Sequence, residues 1–156
     1  MNAHAADTNA LLRNTHTILV IDWPSRDVPE TLARAGFHVI VRGGPGPEDY
    51  ASFTVQSGTV VRSPCPEPKT VDLVYAHRPV AELPDLIATA TALQAGALWT
   101  QSGLIGESAR DPGGCWLPAE QREAVESLAS RAGLAYRSEP YIVDAVRQFT
   151  RDRGRD

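Results

Sequence analysis

Three residues of types that move protons, Asp22, His77 and Glu139, each follow a short apolar run. If those runs are parallel strands, two carboxylates and an imidazole reach the same edge of a sheet, where acid–base work could be done. Their spacing makes this no more specific, because strand ends commonly carry polar residues. The sequence holds no Walker loop, no HExxH helix and no nucleophile elbow. No catalytic residue is therefore assigned, and the reading leans away from an enzyme. Arg42 and Arg78 stand at strand ends as well. Their planar guanidinium forks suit phosphate or carboxylate.

The other chemistry-bearing residues are less informative. Cys65 and Cys115 lie fifty residues apart in Pro- and Gly-rich surroundings, with no CxxC pair. Neither a structural zinc site nor a disulfide framework is expected, so no metal ligand is assigned. No positive neighbour is evident to lower either thiol's pKa. Lys69 is the single lysine among 15 basic residues, a bias better explained by genome composition than by phosphate binding. The net charge of −4 argues against a nucleic-acid partner held by counterion release. No apolar run approaches the ~18 residues of a membrane span, and residues 1–15 lack the apolar stretch of a secretion signal. A cytoplasmic, membrane-free protein is the expectation.

These residues must be positioned by alternating strands and helices. Thr17 to Asp22 is a near-continuous β-branched run, as in a parallel strand buried on both faces. Asp27-Val28-Pro29-Glu30 reads as a helix start, with Asp27 as cap, Glu30 completing a capping box and Pro29 in the first turn. Val28, Leu32 and Ala35 form its apolar face. Further strands are predicted at 37–42, 58–62, 71–77, 97–101 and 134–138, with a loop over 43–50. Helices are predicted through Leu83, Leu86, Ile87 and Ala90, from Pro118 through Val125, Leu128, Ala129 and Ala132, and over 142–149. Three helices end in Ala-Gly, at Ala35-Gly36, Ala95-Gly96 and Ala132-Gly133, and each runs into a strand. Repeated βαβ units of this kind define an α/β fold. The expectation is a three-layer, Rossmann-like domain with a mainly parallel sheet of five to six strands. Residues 17–149 would form the single domain, 1–16 a flexible arm or frayed helix and 150–156 a polar tail.

In such a sheet ligands bind beyond the carboxyl ends of the strands. There the chain resembles the bacterial CoA-binding domain family. The likeness is carried by Val71 to Pro79, by Ala97-Leu98-Trp99-Thr100-Gln101-Ser102-Gly103-Leu104 and by Ala132-Gly133-Leu134. It implies that Arg78, Pro79, Gln101 and Gly103 border the ligand. Arg42 and Gly43 would lie near the adenine and ribose phosphate, and Pro24-Ser25 would open a helix whose free amides attract a diphosphate. The implied ligand is coenzyme A, an acyl-CoA or a related nucleotide, bound without catalysis. The chain departs from the family after Ile21, where Asp22-Trp23 leads directly to Pro24 in place of a glycine-containing loop. Trp23 and Trp116 are candidates to stack on an adenine, although packing is the plainer role. Trp99 and His38 read as structural. Two alternatives stay open: a degenerate scaffold acting through a protein partner or homodimer, and a small acid–base enzyme built on Asp22, His77 and Glu139.

Overall fold

The computed structural model describes residues 3–23, 26–44, 46, 48–101 and 119–154. Helix α1 (Ala3–Arg13) leads into strand β1 (Thr17–Ile21), followed by α2 (Asp27–Arg34) and β2 (His38–Arg42). A hairpin of β3 (Tyr50–Gln56) and β4 (Thr59–Pro64) comes next, then β5 (Leu73–Ala76). A 3-10 turn (Val80–Glu82), α3 (Leu83–Ala92), β6 (Ala97–Thr100), α4 (Ala119–Arg131), β7 (Ala135–Arg137) and α5 (Ile142–Arg153) complete the chain. The strands form one sheet in the order β4-β3-β2-β1-β5-β6-β7. All neighbours are parallel except β2–β3 and β3–β4. The expected α/β class holds, with seven strands among the described residues rather than five or six.

The β-branched run of β1 explains why it lies centrally. Ile18, Leu19, Val20 and Ile21 are all buried, and their side chains alternate between the two faces as a strand requires. Ile18 and Val20 join Val28 and Leu32 of α2 and Ile142, Val146 and Phe149 of α5 in one core. Leu19 and Ile21 join Leu83, Leu86 and Ala90 of α3 and Val125 and Ala129 of α4 in the other. Three layers result, with helices on both faces of the sheet. Among the described residues no helix is long and apolar enough to cross a membrane.

Several local expectations are corrected. The capping box does not form: Asp27 is already helical, and the cap residue Arg26 makes no side-chain cap bond. Instead Arg26 pairs with Glu30 at 3.3 Å, one turn on. Gly36 and Gly133 do supply left-handed helix ends, with φ of 100° and 79°. After α3, however, Gln94 takes that conformation (φ 58°), and the Gly96 amide donates to the Asp72 carbonyl at 3.0 Å. Leu128, expected on the inner face of α4, is 40% exposed. The loop expected up to Tyr50 gives way to a strand that the sequence reading missed. β3 and β4 are joined by Ser57-Gly58, both at positive φ (52° and 81°), a backbone twist that suits two-residue hairpins.

Both ends of the described chain are helical. Of the arm or frayed helix expected at the N-terminus, residues 3–13 form a helix, and Leu12 near its end enters the core and is only 1% exposed. The Asn9 amide donates to Asp152 Oδ2 at 2.8 Å, so α1 is fastened to α5. That helix runs on to Arg153, with Thr150, Arg151 and Arg153 exposed to solvent. Phe149 explains the extension: it packs 6.3 Å from Phe37 and lies under the Arg153 guanidinium at 5.3 Å. Leu12→Ala is expected to destabilise the domain by about 2–5 kcal/mol in urea denaturation. A change near zero would show that α1 adds nothing to the fold.

Candidate functional site

From β1 the chain runs outward through β2, β3 and β4 on one side, then crosses back to place β5 on the other side of β1. Strand order therefore reverses between β1 and β5, and their carboxyl ends open the crevice where open α/β sheets bind ligands. Asp22 follows β1 directly and His77-Arg78 follows β5. The His77 amide donates to the Ile21 carbonyl at 3.0 Å, carrying the strand pairing up to the rim. Asp22 then turns into the left-handed region, with φ of 54°. Asp tolerates that region better than most residues do.

An ion-paired triad crosses the crevice. Arg78 Nη1 donates to Asp22 Oδ2 at 2.7 Å. Its Nε and Nη2 donate to Glu82 Oε2 and Oε1, each at 2.9 Å. The hydrogen bonds to Glu82, and after them the one to Asp22, drive the guanidinium pKa above its already high ordinary value. Side-chain exposures are 39% for Arg78, 44% for Asp22 and 38% for Glu82. Water reaches all three, so each pair adds at most about 1 kcal/mol to stability. Pro79 shapes the arrangement: its carbonyl accepts the Glu82 amide at 2.9 Å, which starts the 3-10 turn and brings Glu82 back to Arg78. Glu82 was not singled out in the sequence, although the Arg78-to-Glu82 spacing of four after a proline was a readable signal.

Arg42 ends β2, in register with Ile21 on one side and Tyr50 on the other. The Tyr50 hydroxyl donates to Glu67 Oε1 at 3.3 Å. Its pKa is raised, first by burial and next by Glu67, while Arg42 opposes the shift. Gly43 donates its amide to Asp49 O at 3.0 Å and has open space around it. At Gly44 an added Cβ would meet Asp49 Oδ2 at 2.7 Å, and the Asp49 side chain would have to shift to admit it.

Gln101 departs most from expectation. It is 1% exposed, and its amide is used internally. Nε2 donates to Pro140 O at 2.8 Å and to Ser138 O at 3.3 Å, while Oε1 accepts the Ile142 amide at 2.8 Å. Its side chain thus ties the end of β6 to the start of α5 and is not presented to a ligand. Trp99 is likewise in the core, with its indole N–H on Pro140 O at 3.2 Å. Trp23 packs half-buried against the core of the α2/α5 face. Pro24, Ser25, Gly103, Cys115 and Trp116 lie outside the described residues.

The three acid–base candidates stand at the ends of β1, β5 and β7. Asp22 is engaged with Arg78. His77 Nδ1 lies 2.8 Å from the Gln101 carbonyl, and since a carbonyl only accepts, that nitrogen carries the proton. Glu139 follows β7, which β6 separates from β5, placing its strand about 9–10 Å from that of His77. Among the described residues no cluster of His, Cys, Asp and Glu could hold a metal ion.

A cleft of about 490 Å³ lies at the opposite edge of the sheet, lined by Asn9, Leu12, His16, Phe37 and Phe149 among others. Much of its polar lining is spent on the fold. Asn9 is bonded to Asp152, and Arg153 lies over Phe149 and donates to Ala35 O at 3.3 Å. The crevice at the strand reversal, where cationic side chains are half-exposed, is the better candidate.

Comparison with known proteins supports the same class. The profile described as "CoA binding domain" matches residues 20–140, from within β1 to the approach to α5. The chain belongs to the CoA binding domain family. Among solved structures, Prb, the PH1109 protein redesigned for binding, superposes with a TM-score of 0.61 at 13% identity. That match covers 93% of this chain and 91% of that chain. The cell-free ID.343 structure from Thermus thermophilus gives a TM-score of 0.52 at 18% identity, covering 96% and 99% of the two chains. At such identities the likeness concerns the fold alone. The comparison with curated proteins finds no match.

Two outcomes follow from this geometry. Gln101→Ala leaves the Ile142 amide without its partner and the Pro140 carbonyl with the Trp99 indole alone, and is expected to cost about 1–3 kcal/mol in urea unfolding; a loss below about 0.5 kcal/mol, within the scatter of surface changes, would contradict this role. Burial pushes the Cys65 thiol pKa up, which lowers its thiolate fraction near neutrality. In a Cys115→Ser background, Cys65 should react with a disulfide reagent at pH 7.5 more slowly than free cysteine does. An equal rate would contradict it.

Proposed function

We propose that this domain binds coenzyme A, an acyl-CoA or a related nucleotide, without catalysis, in the crevice between the carboxyl ends of β1 and β5. The observation that carries the reading is the span of the family match, residues 20–140, which takes in both strands flanking the reversal and the loops that leave them. Guanidinium groups and free backbone amides are the donor set that suits phosphate. Arg78 is 39% exposed and reachable from solvent, and Arg42 stands at the adjacent strand end. In this reading Pro24, Ser25, Arg42, Gly43, Arg78, Pro79 and Gly103 surround the ligand. Gln101 then acts through the wall it holds rather than by contact.

The fit to a diphosphate has one opposing element, the Asp22 carboxylate on Arg78. The same contact favours a second reading, in which the crevice has closed on itself and the domain works as a scaffold for a protein partner or a second copy. Thermal unfolding with CoA, acetyl-CoA, NAD and ATP separates the two. A ligand at ~100 times its Kd stabilises by about 2.7 kcal/mol, a rise of roughly 5–10 °C in Tm for a domain of this size. CoA or acetyl-CoA is expected to produce that rise, with NAD and ATP giving less. No shift with any of the four at millimolar concentration would remove the binding reading and leave the scaffold.

A further inference from the structure

We infer that Asp22 is a tethered anion that occupies Arg78 in place of a ligand phosphate, so that anion binding in the crevice is set by competition with the protein's own carboxylate. This rests on the binding reading for the identity of the ligand, but the competition concerns Arg78 itself.

The two carboxylates on Arg78 are not equivalent. Glu82 takes Nε and Nη2 together, one whole edge of the fork, from four residues along the same segment. That contact is local and bidentate, and it orients the guanidinium. Asp22 takes a single donor, Nη1, from a different strand end 56 residues away in sequence, and is the more exposed of the two at 44%. A monodentate, solvent-reachable bond is the one an incoming anion can replace. Glu82 is therefore the positioning residue and Asp22 the competitor.

Charge sets the direction of the effect. With both carboxylates in place the triad carries a net charge of −1, from two carboxylates and one guanidinium. A phosphate approaching Arg78 meets that charge and must displace Asp22 to take the Nη1 N–H that Asp22 holds. When Asp22 leaves, the freed Nη1 faces the ligand while Glu82 still holds the other edge. The backbone need not move, because Asp22 is attached through its left-handed position at the end of β1, and rotation of its side chain suffices. The competitor thus lowers affinity for every anion at this point. Only a ligand with further contacts, such as a nucleotide with a base and a pantetheine-like arm, recovers the loss.

Two substitutions test this without damaging the turn. Asp22→Asn keeps the shape and tolerates the left-handed backbone, and Asp22→Gly favours it. Sodium pyrophosphate serves as the bare anion, titrated by NMR on the Arg78 Nε–H resonance, with CoA titrated in parallel by calorimetry. Pyrophosphate is expected to bind both variants roughly fivefold more tightly than wild type, and Asp22→Asn combined with Arg78→Gln should lose the gain. Equal pyrophosphate affinity in wild type and Asp22→Asn, or a gain that survives loss of Arg78, would overturn the competition. The CoA arm is judged separately. If pyrophosphate behaves as expected and no variant binds CoA, the competitor stands and the CoA reading falls. If wild type binds CoA but Asp22→Asn gains nothing toward pyrophosphate, the reverse holds.

Discussion

β1 has a parallel hydrogen-bonded neighbour on each side, and the chain connects to them in opposite directions. Because α2 crosses one face and α3 and α4 the other, the segments leaving β1 and β5 part company at their carboxyl ends. That parting is a product of topology rather than of any one side chain. It requires a strand that can be buried on both faces, which the aliphatic run of β1 supplies. Both cores depend on it, since alternate residues of the same five-residue strand enter each.

The same constraint decides which residues meet. Asp22 and Arg78 are far apart in sequence, yet they become neighbours because β1 and β5 are paired in register up to Ile21 and Ala76. A proline and a short 3-10 turn then fold Glu82 back on the guanidinium. Arg78 is thereby oriented by structure around it, while its solvent-facing side stays accessible. Farther along the rim, Gln101 is withdrawn into the wall, where it satisfies backbone groups that neither sheet nor helix pairs. The rim thus divides into a charged, reachable part at β1/β5 and a buried, structural part at β6/β7.

The fold class was readable because it rests on patterns of period two and of three to four residues, and these survive in a single sequence. Ala-Gly marked where each of three helices gives way to a strand, with the left-handed turn made by Gly36 and Gly133 at two of them and by Gln94 at the third. The strand over 58–62 was legible and corresponds to β4, whereas its partner β3 was not, because Ser and Thr interrupt its apolar alternation. At the N-terminus, composition leaves arm and helix open, and only Leu12 packing into the core decides between them. At the site, Arg78 and Asp22 stood out through their strand-end positions. Their partners did not, since an ion pair across a sheet has no signature in local spacing. The buried role of Gln101 was equally invisible, because glutamine after a strand reads the same whether it faces a ligand or a loop.

The bond between Asn9 and Asp152 joins helices from the two extremes of the described chain. A pulling force applied through those extremes would load this bond and the Leu12 contacts first, peeling α1 from α5 one contact at a time. The central sheet would feel the load only afterwards. That clasp lies at the amino edge of the sheet, away from the crevice.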